Sequence, residues 1–395
     1  MQLPVAVRAR DMGFRVTIMG LTTAARDVIA AGIDHIGYDD LWAYAREGSR
    51  GYGETLCPDI DPSGPVSPAE TIAYHGINFS ELIAEVGETE ARARFRSQGR
   101  HAFLPTNFMA RVLQGLKPDI VVASNSPRSE QAAILAARQL SIPAVCLVDL
   151  FALQEYKWIS KPGFADRICV LNDAVQQFFI AHGRIADELV VTGNPAFDSI
   201  ILPETISAGL AIRRDRGWDD GRLNILWASQ VEPLRHPFEN VDGDPLLPRK
   251  IEEILREIVF EGSDMRLIVR YSPSENVDFV PATNVEFSPR SEPLHSLLHA
   301  VDLVIVTSST VGLEAYIAGR SVISVDLSIF TTDAPFSSMG IATGVRTLNE
   351  LRDCILHYVG DRQHRSRPDM LLSETQPPYA TETVLKVIED VASHL

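Results

Sequence analysis

The sequence predicts an α/β protein made of two doubly wound, Rossmann-like domains, and three observations lead there. Short apolar, β-branched runs alternate with helix-period runs over residues 120–192 and again over 224–325. Strands this apolar are covered on both faces, as in parallel sheets. Polar residues recur where those strands end, the rim at which open α/β sheets place their chemistry. Between the two arrays the chain changes character, with Pro203, Gly209 and the charged run RRDRGWDDGR, which marks a linker and the first helix of a second domain.

Composition bounds the rest. A chain of 395 residues that is 45% hydrophobic has room for two domains with separate cores. The formal charge is −16 and no run of Lys or Arg is long enough to form a basic stripe, which argues against nucleic-acid binding. Cys57, Cys146, Cys169 and Cys354 are far apart, two of them inside the strand-like runs CLV and ICVL. They read as reduced core residues of a cytoplasmic protein. No signal peptide and no apolar run of spanning length is present, so any membrane contact would be peripheral.

Taken in order, residues 3–12 read as a helix ended by Gly13, 14–19 (FRVTIM) as a strand, and 23–31 as a helix ended by Gly32. A doubly wound sheet normally places a strand before that first helix, so the first strand of the N-terminal domain is expected to be missing. Over 38–68 the periodicity dissolves into RGYGETLCPDIDPSGP, too long for an ordinary connection. It reads as a flap beside an active site or as a disordered excursion. Helical patterns then run from Pro68 to Leu116, and their cluster ARARFRSQGRH is read as a solvated helix face, or as a surface for an anionic or lipid-linked acceptor.

Strands follow at 120–123, 144–148, 167–171 and 189–192, with helices at 129–140 and from 173 to His182-Gly183. The first strand ends in Ser124, Asn125, Ser126, Pro127 and Arg128, and the second in Asp149. Asp149 follows VCLV and precedes an irregular aromatic stretch, so it is a candidate general base, with an ordinary turn or cap aspartate as the plainer alternative. Asn125 and Arg128 have the same plainer alternative, and His182 reads as a cation at a helix end. In the second half, strands are expected at 224–228, 266–271 and 285–287, with helices at 249–261, 293–300 and 348–358 and a last helix at 381–395. His236 and Asp242 to Asp244, in the loop before Pro248, lack metal-ligand spacing and read as solvated.

The segment VDLVIVTSSTVGLEAYIAGRSVISVD organises the second domain. Strand 303–306, helix 311–318 ended by Gly319 and strand 321–325 form a βαβ unit. Its tight turn places Ser308, Ser309 and Thr310 at the carboxyl edge of a parallel sheet. Position 311 is Val, so Glu314 has no capping-box partner. It is placed either by the helix dipole alone or to hydrogen-bond the hydroxyls of a ribose or sugar while the hydroxyl side chains hold phosphate.

These motifs resemble the GT-B superfamily of nucleotide-sugar enzymes, which includes many glycosyltransferases, lipid A disaccharide synthase and the non-hydrolysing UDP-N-acetylglucosamine 2-epimerases. The resemblance is carried by VVTGNPAFDSI, by RLIVRYSPSE, by the βαβ segment above and by the final helix after PPYATETV. It implies two Rossmann-like domains facing across a cleft, an N-terminal acceptor domain (1–200), a C-terminal donor domain (201–378) and a terminal helix (379–395) crossing back to the first. It implies a nucleotide-sugar donor, UDP-linked, held as substrate by Ser308, Ser309, Thr310, Glu314, Arg270, Ser272, Ser229 and Gln230. A glycan, glycolipid or small-molecule acceptor would meet Asn125 and Arg128, with Asp149 as base. Neither a cofactor nor a metal is required, and a homodimer is compatible with the pattern. The chain departs from the family at Ser272, where many relatives have His. Thr310 and Val311 stand where epimerases carry glycines and Ala315 follows Glu314, which counts against an epimerase. Glycosyl transfer is therefore the leading expectation, with a sugar-nucleotide epimerase and a catalytically silent binding subunit as the alternatives.

Overall fold

The computed structural model describes residues 1–20, 24–237, 239–360 and 379–393. Two compact units result, one from Met1–Ala196 with the C-terminal helix, the other from Phe197 onward. The polar segment 361–378 lies outside the described residues.

The first unit opens with α1 (Gln2–Asp11), β1 (Thr17–Met19), α2 (Ala24–Ala30) and β2 (Asp34–Ile36). β1 and β2 pair in parallel as a sheet of their own. The sequence reading missed β2, whose three residues offer no apolar run.

The expected flap or disordered excursion over 38–68 is corrected in its first part, while residues 57–67 carry neither helix nor strand. Residues Asp39–Tyr44 form a 3₁₀ turn, and α3 (Ser49–Leu56) packs against α4 (Pro68–Val86). The glycines that mimicked a loop make this contact possible. A Cβ on Gly53 would lie 2.2 Å from the Ile72 carbonyl oxygen, and one on Gly76 would lie 2.2 Å from that of Ser49.

α5 (Glu88–Gln98) and α6 (Thr106–Leu116) follow. In α5, Arg92 pairs with Glu88 and Arg94 with Glu90, each one turn back on an exposed face.

The regular array then begins with β3 (Val121–Ser124), α7 (Ser129–Gln139), β4 (Ala144–Leu147), α8 (Tyr156–Ile159), β5 (Arg167–Val170), α9 (Asp173–Ala181) and β6 (Leu189–Val191). The four strands form a parallel sheet in chain order, with Val121 opposite Ala144 and Leu147 opposite Cys169. Among the described residues no strand joins this sheet to the β1–β2 pair. α1 serves both, contributing Val5 to the core under β4 and β5 and Ala6 to the core around Val28 and Ile33.

The second unit contains α10 (Pro203–Asp215), β7 (Leu223–Ala228), α11 (Leu247–Glu261), β8 (Met265–Arg270), β9 (Val285–Phe287), α12 (Leu294–Ala300), β10 (Leu303–Val306), α13 (Val311–Ile317), β11 (Ser321–Val325), β12 (Thr343–Val345) and α14 (Leu348–Gly360). Its sheet runs β12-β11-β10-β7-β8-β9, all parallel. Every residue of β7 and β10 is buried; β10 is apolar throughout and β7 is apolar except for Asn224, as suits strands covered on both faces. Ile225, Trp227, Leu267, Val269 and Ile305 pack on Ile251, Leu255 and Ile258 of α11 and on Leu351 and Ile355 of α14.

The last helix, α15 (Ala380–Ala392), belongs to the first unit. Its Val384, Leu385 and Val387 cover Val145, Leu147 and Cys169.

Candidate functional site

In the second unit the strand order turns back between β7 and β10. β8 and β9 extend the sheet on one side of β7; β10, β11 and β12 extend it on the other. Loops leaving the carboxyl ends of two such strands diverge and leave a crevice at the switch point. Gln230 follows β7 there and Ser308 follows β10, and the Gln230 amide donates to the Ser308 hydroxyl. Both side chains are half-buried, as is Ser309, while Thr310 is exposed.

α13 is only seven residues long, so the helix the sequence reading placed behind this turn is short. Thr310 stands at its cap position without a side-chain bond to the backbone. Its hydroxyl donates instead to Glu314 Oε1 over 3.1 Å, and His295 Nε2 lies 3.2 Å from Oε2. Glu314 is 8% exposed, so a carboxylate without a capping partner is held by two side chains in a buried position.

Arg270, at the end of β8, donates to Ser288 Oγ and to the carbonyls of Pro289 and Glu292. Neutral acceptors fix its direction without cancelling its charge. Burial lowers its pKa, with the nearby charges of Glu292 and Glu314 opposing that shift.

Ser229 and Ser272 are placed differently. Glu275 accepts from Ser229 Oγ (2.8 Å) and from the Ser272 backbone N–H (2.8 Å), and Arg249 donates to both Ser229 Oγ and Glu275. Glu275 thereby ties the ends of β7 and β8 together.

A second buried carboxylate closes the other side. Glu232 is 3% exposed and accepts from Ser328 Oγ and the Ile329 N–H, which rivets the loop after β7 to the loop after β11. His236, read from sequence as solvated, is buried, with Nε2 2.8 Å from Asp333. Its ring lies against Phe330. Sequence reasoning passed over Glu232, Glu275 and His295 because their partners come from other strands and loops, which local periodicity does not encode.

In the first unit, Asp149 is exposed at the carboxyl end of β4 and caps no helix. Its N–H donates to Asn125 Oδ1 (2.8 Å); the buried Asn194 donates from Nδ2 to its carbonyl (2.6 Å) and to Oδ1 (3.2 Å). Asn125 and Asp149 thus belong to one hydrogen-bonded set. Arg128 precedes α7 with φ +71°, a backbone region that favours glycine. His182 Nδ1 lies 2.7 Å from the Phe178 carbonyl at the end of α9. Among the described residues, no group of three or more His, Cys, Asp or Glu side chains could hold a metal ion. No helix there is long and apolar enough to cross a membrane.

The architecture is that of the GT-B type, two α/β units with parallel sheets. Solved structures with this fold cover almost the whole chain. A candidate UDP-N-acetylglucosamine 2-epimerase from Listeria monocytogenes aligns over 100% of this chain and 93% of its own, at 15% identity and a TM-score of 0.57. The glycotransferase of kitacinnamycin aligns over 99% and 94%, at 13% identity and a TM-score of 0.55. A glycosyltransferase from Rickettsia africae ESF-5 aligns over 99% and 93%, at 11% identity and a TM-score of 0.53. These similarities establish the fold. No protein-family model matches the chain, and no curated protein matches it by sequence.

Proposed function

We propose that the protein is a glycosyltransferase that moves a sugar from a nucleotide-sugar donor, UDP-linked, to a hydroxyl of a glycan, glycolipid or small metabolite. The observation that carries this reading is the set at the β7–β10 switch point. Gln230, Ser308 and Ser309 offer neutral hydrogen-bond donors to a diphosphate, Arg270 holds an oriented positive charge, and Glu314, with Thr310 donating to it, supplies an acceptor for ribose hydroxyls. Donors fixed before the reaction stabilise the charge that builds on a departing diphosphate.

The acceptor falls to the first unit. A sugar hydroxyl attacks an anomeric carbon only as it gives up its proton, and Asp149 is the proposed base. Asn125 and Asn194 fix its backbone and one carboxylate oxygen, Oδ1. Neither a metal nor a cofactor is assigned to the reaction.

Thermal denaturation with UDP, GDP, CMP and dTDP tests the donor reading. UDP is expected to raise the melting temperature, because a ligand bound only by the native state stabilises it by mass action. Glu314→Gln is expected to remove most of that shift. No shift with any nucleotide would overturn the reading. Incubating the responding nucleotide sugar without acceptor is expected to give only slow hydrolysis; appearance of a new sugar would replace transfer with epimerisation.

A further inference from the structure

α12 carries two histidines one turn apart, and both reach the turn that leads into α10. His299 Nε2 lies 2.7 Å from the Ile200 carbonyl, and His295 Nδ1 lies 2.8 Å from Ser199 Oγ. The other nitrogen of His295 faces Glu314 at 3.2 Å. A neutral imidazole has one donor and one acceptor, whereas an ionised carboxylate only accepts. Nε2 therefore carries the hydrogen toward Glu314, Nδ1 accepts, and the Ser199 hydroxyl donates.

We infer that His295 is a positioning residue for nucleoside recognition: with its Nε2–H directed at the carboxylate and its ring held from behind by Ser199, it turns the Glu314 carboxylate so that its remaining lone pairs accept the hydroxyl pair of a ribose. Thr310 holds Oε1 and His295 holds Oε2, so the carboxylate plane is fixed at both ends. Each oxygen can accept a second hydrogen bond. A vicinal diol offers two such donors, one to each oxygen. The inference deepens the nucleotide reading above and rests on it.

The test is a ratio of affinities. Calorimetric dissociation constants for UDP and for its 2′,3′-dideoxy analogue are measured on the full chain and on Glu314→Gln, His295→Ala, His295→Gln and Ser199→Ala. The native protein is expected to prefer UDP, and His295→Ala to lower that preference about tenfold while leaving the affinity for the dideoxy analogue unchanged. His295→Gln, whose amide both donates and accepts, is expected to restore most of it. Nitrogen-15 spectra of the imidazole are expected to show the Nε2–H tautomer, with the Nδ1 resonance shifted in Ser199→Ala as it loses its hydroxyl donor.

If Glu314→Gln leaves the preference intact, the ribose reading itself falls, and this inference with it. If Glu314→Gln abolishes the preference but His295→Ala does not, or if His295→Ala weakens both ligands equally, only the positioning role is overturned. An Nδ1–H tautomer in the native protein overturns it as well.

Discussion

His75 shows how one side chain links burial to acid stability. It lies in α4 against the rings of Tyr74, Phe95 and Phe103, with Nδ1 3.0 Å from the Thr71 carbonyl. Burial lowers its pKa from the ordinary 6.5, opposed by the Thr71 carbonyl and helped by the charge of Arg100. The unfolded chain therefore takes up this proton at a higher pH than the native state does. Stability from this residue is complete above about pH 6.5 and is lost as pH falls below it. Melting temperatures measured from pH 8 to pH 5 are expected to fall more for the native protein than for His75→Gln. Parallel curves would contradict the assignment. At this scale the sequence was partly legible: Ser308 to Thr310 and Glu314 stand out from the strand–turn–helix pattern, since one short segment holds them. Whether Glu314 was committed elsewhere was not readable, because His295 reaches it from another helix.

The contact between α3 and α4 decides a competition between propensity and packing. Alanine in place of a helical glycine stabilises by roughly 1 kcal/mol when nothing opposes it. A Cβ on Gly51 would meet nothing within 4 Å, whereas one on Gly76 would meet the Ser49 carbonyl oxygen at 2.2 Å and the Gly53 nitrogen at 2.9 Å. Those are backbone atoms and cannot swing away. Gly51→Ala is expected to raise stability by up to about 1 kcal/mol, and Gly76→Ala to lower it by about 3 kcal/mol through overpacking. Urea denaturation followed by circular dichroism distinguishes the two signs. The same glycines explain why this region looked like a loop: composition signals a flexible chain, but a close helix crossing needs small residues for a different reason. β12 escaped notice because Thr343 and Gly344 are exposed and only Val345 is buried, so no alternation marks the strand. β7, β8 and β10 were legible because burial on both faces leaves each with an apolar run, interrupted only by Asn224 in β7 and flanked by Arg266 and Arg270 in β8.

For the whole molecule, repeated strand–helix alternation made the two-unit α/β class readable, since each repeat yields one strand and one covering helix. The division of the first unit's strands into a parallel pair and a separate four-stranded sheet was not readable. Register and neighbour order depend on contacts far apart in the chain. The final helix gives a prediction at this scale. Val384, Leu385 and Val387 are at most 7% exposed and cover the floor of the four-stranded sheet. Burying three such side chains stabilises by about 5 kcal/mol. Deleting residues 379–395 is expected to expose Val5, Val145 and Leu147, increase dye binding and open the first unit to limited proteolysis, with the second unit's fragments unchanged. Equal digestion of both units would refute this division of labour.

That helix also sets an order of events during synthesis. The first half of the polypeptide leaves the ribosome with Val145, Leu147 and Cys169 still wet, and the residues that roof them are translated only after the entire second half. The unit begun first is thus finished last. Chaperone demand in the cell should peak in that interval, when apolar strands wait for a partner encoded at the far end of the message.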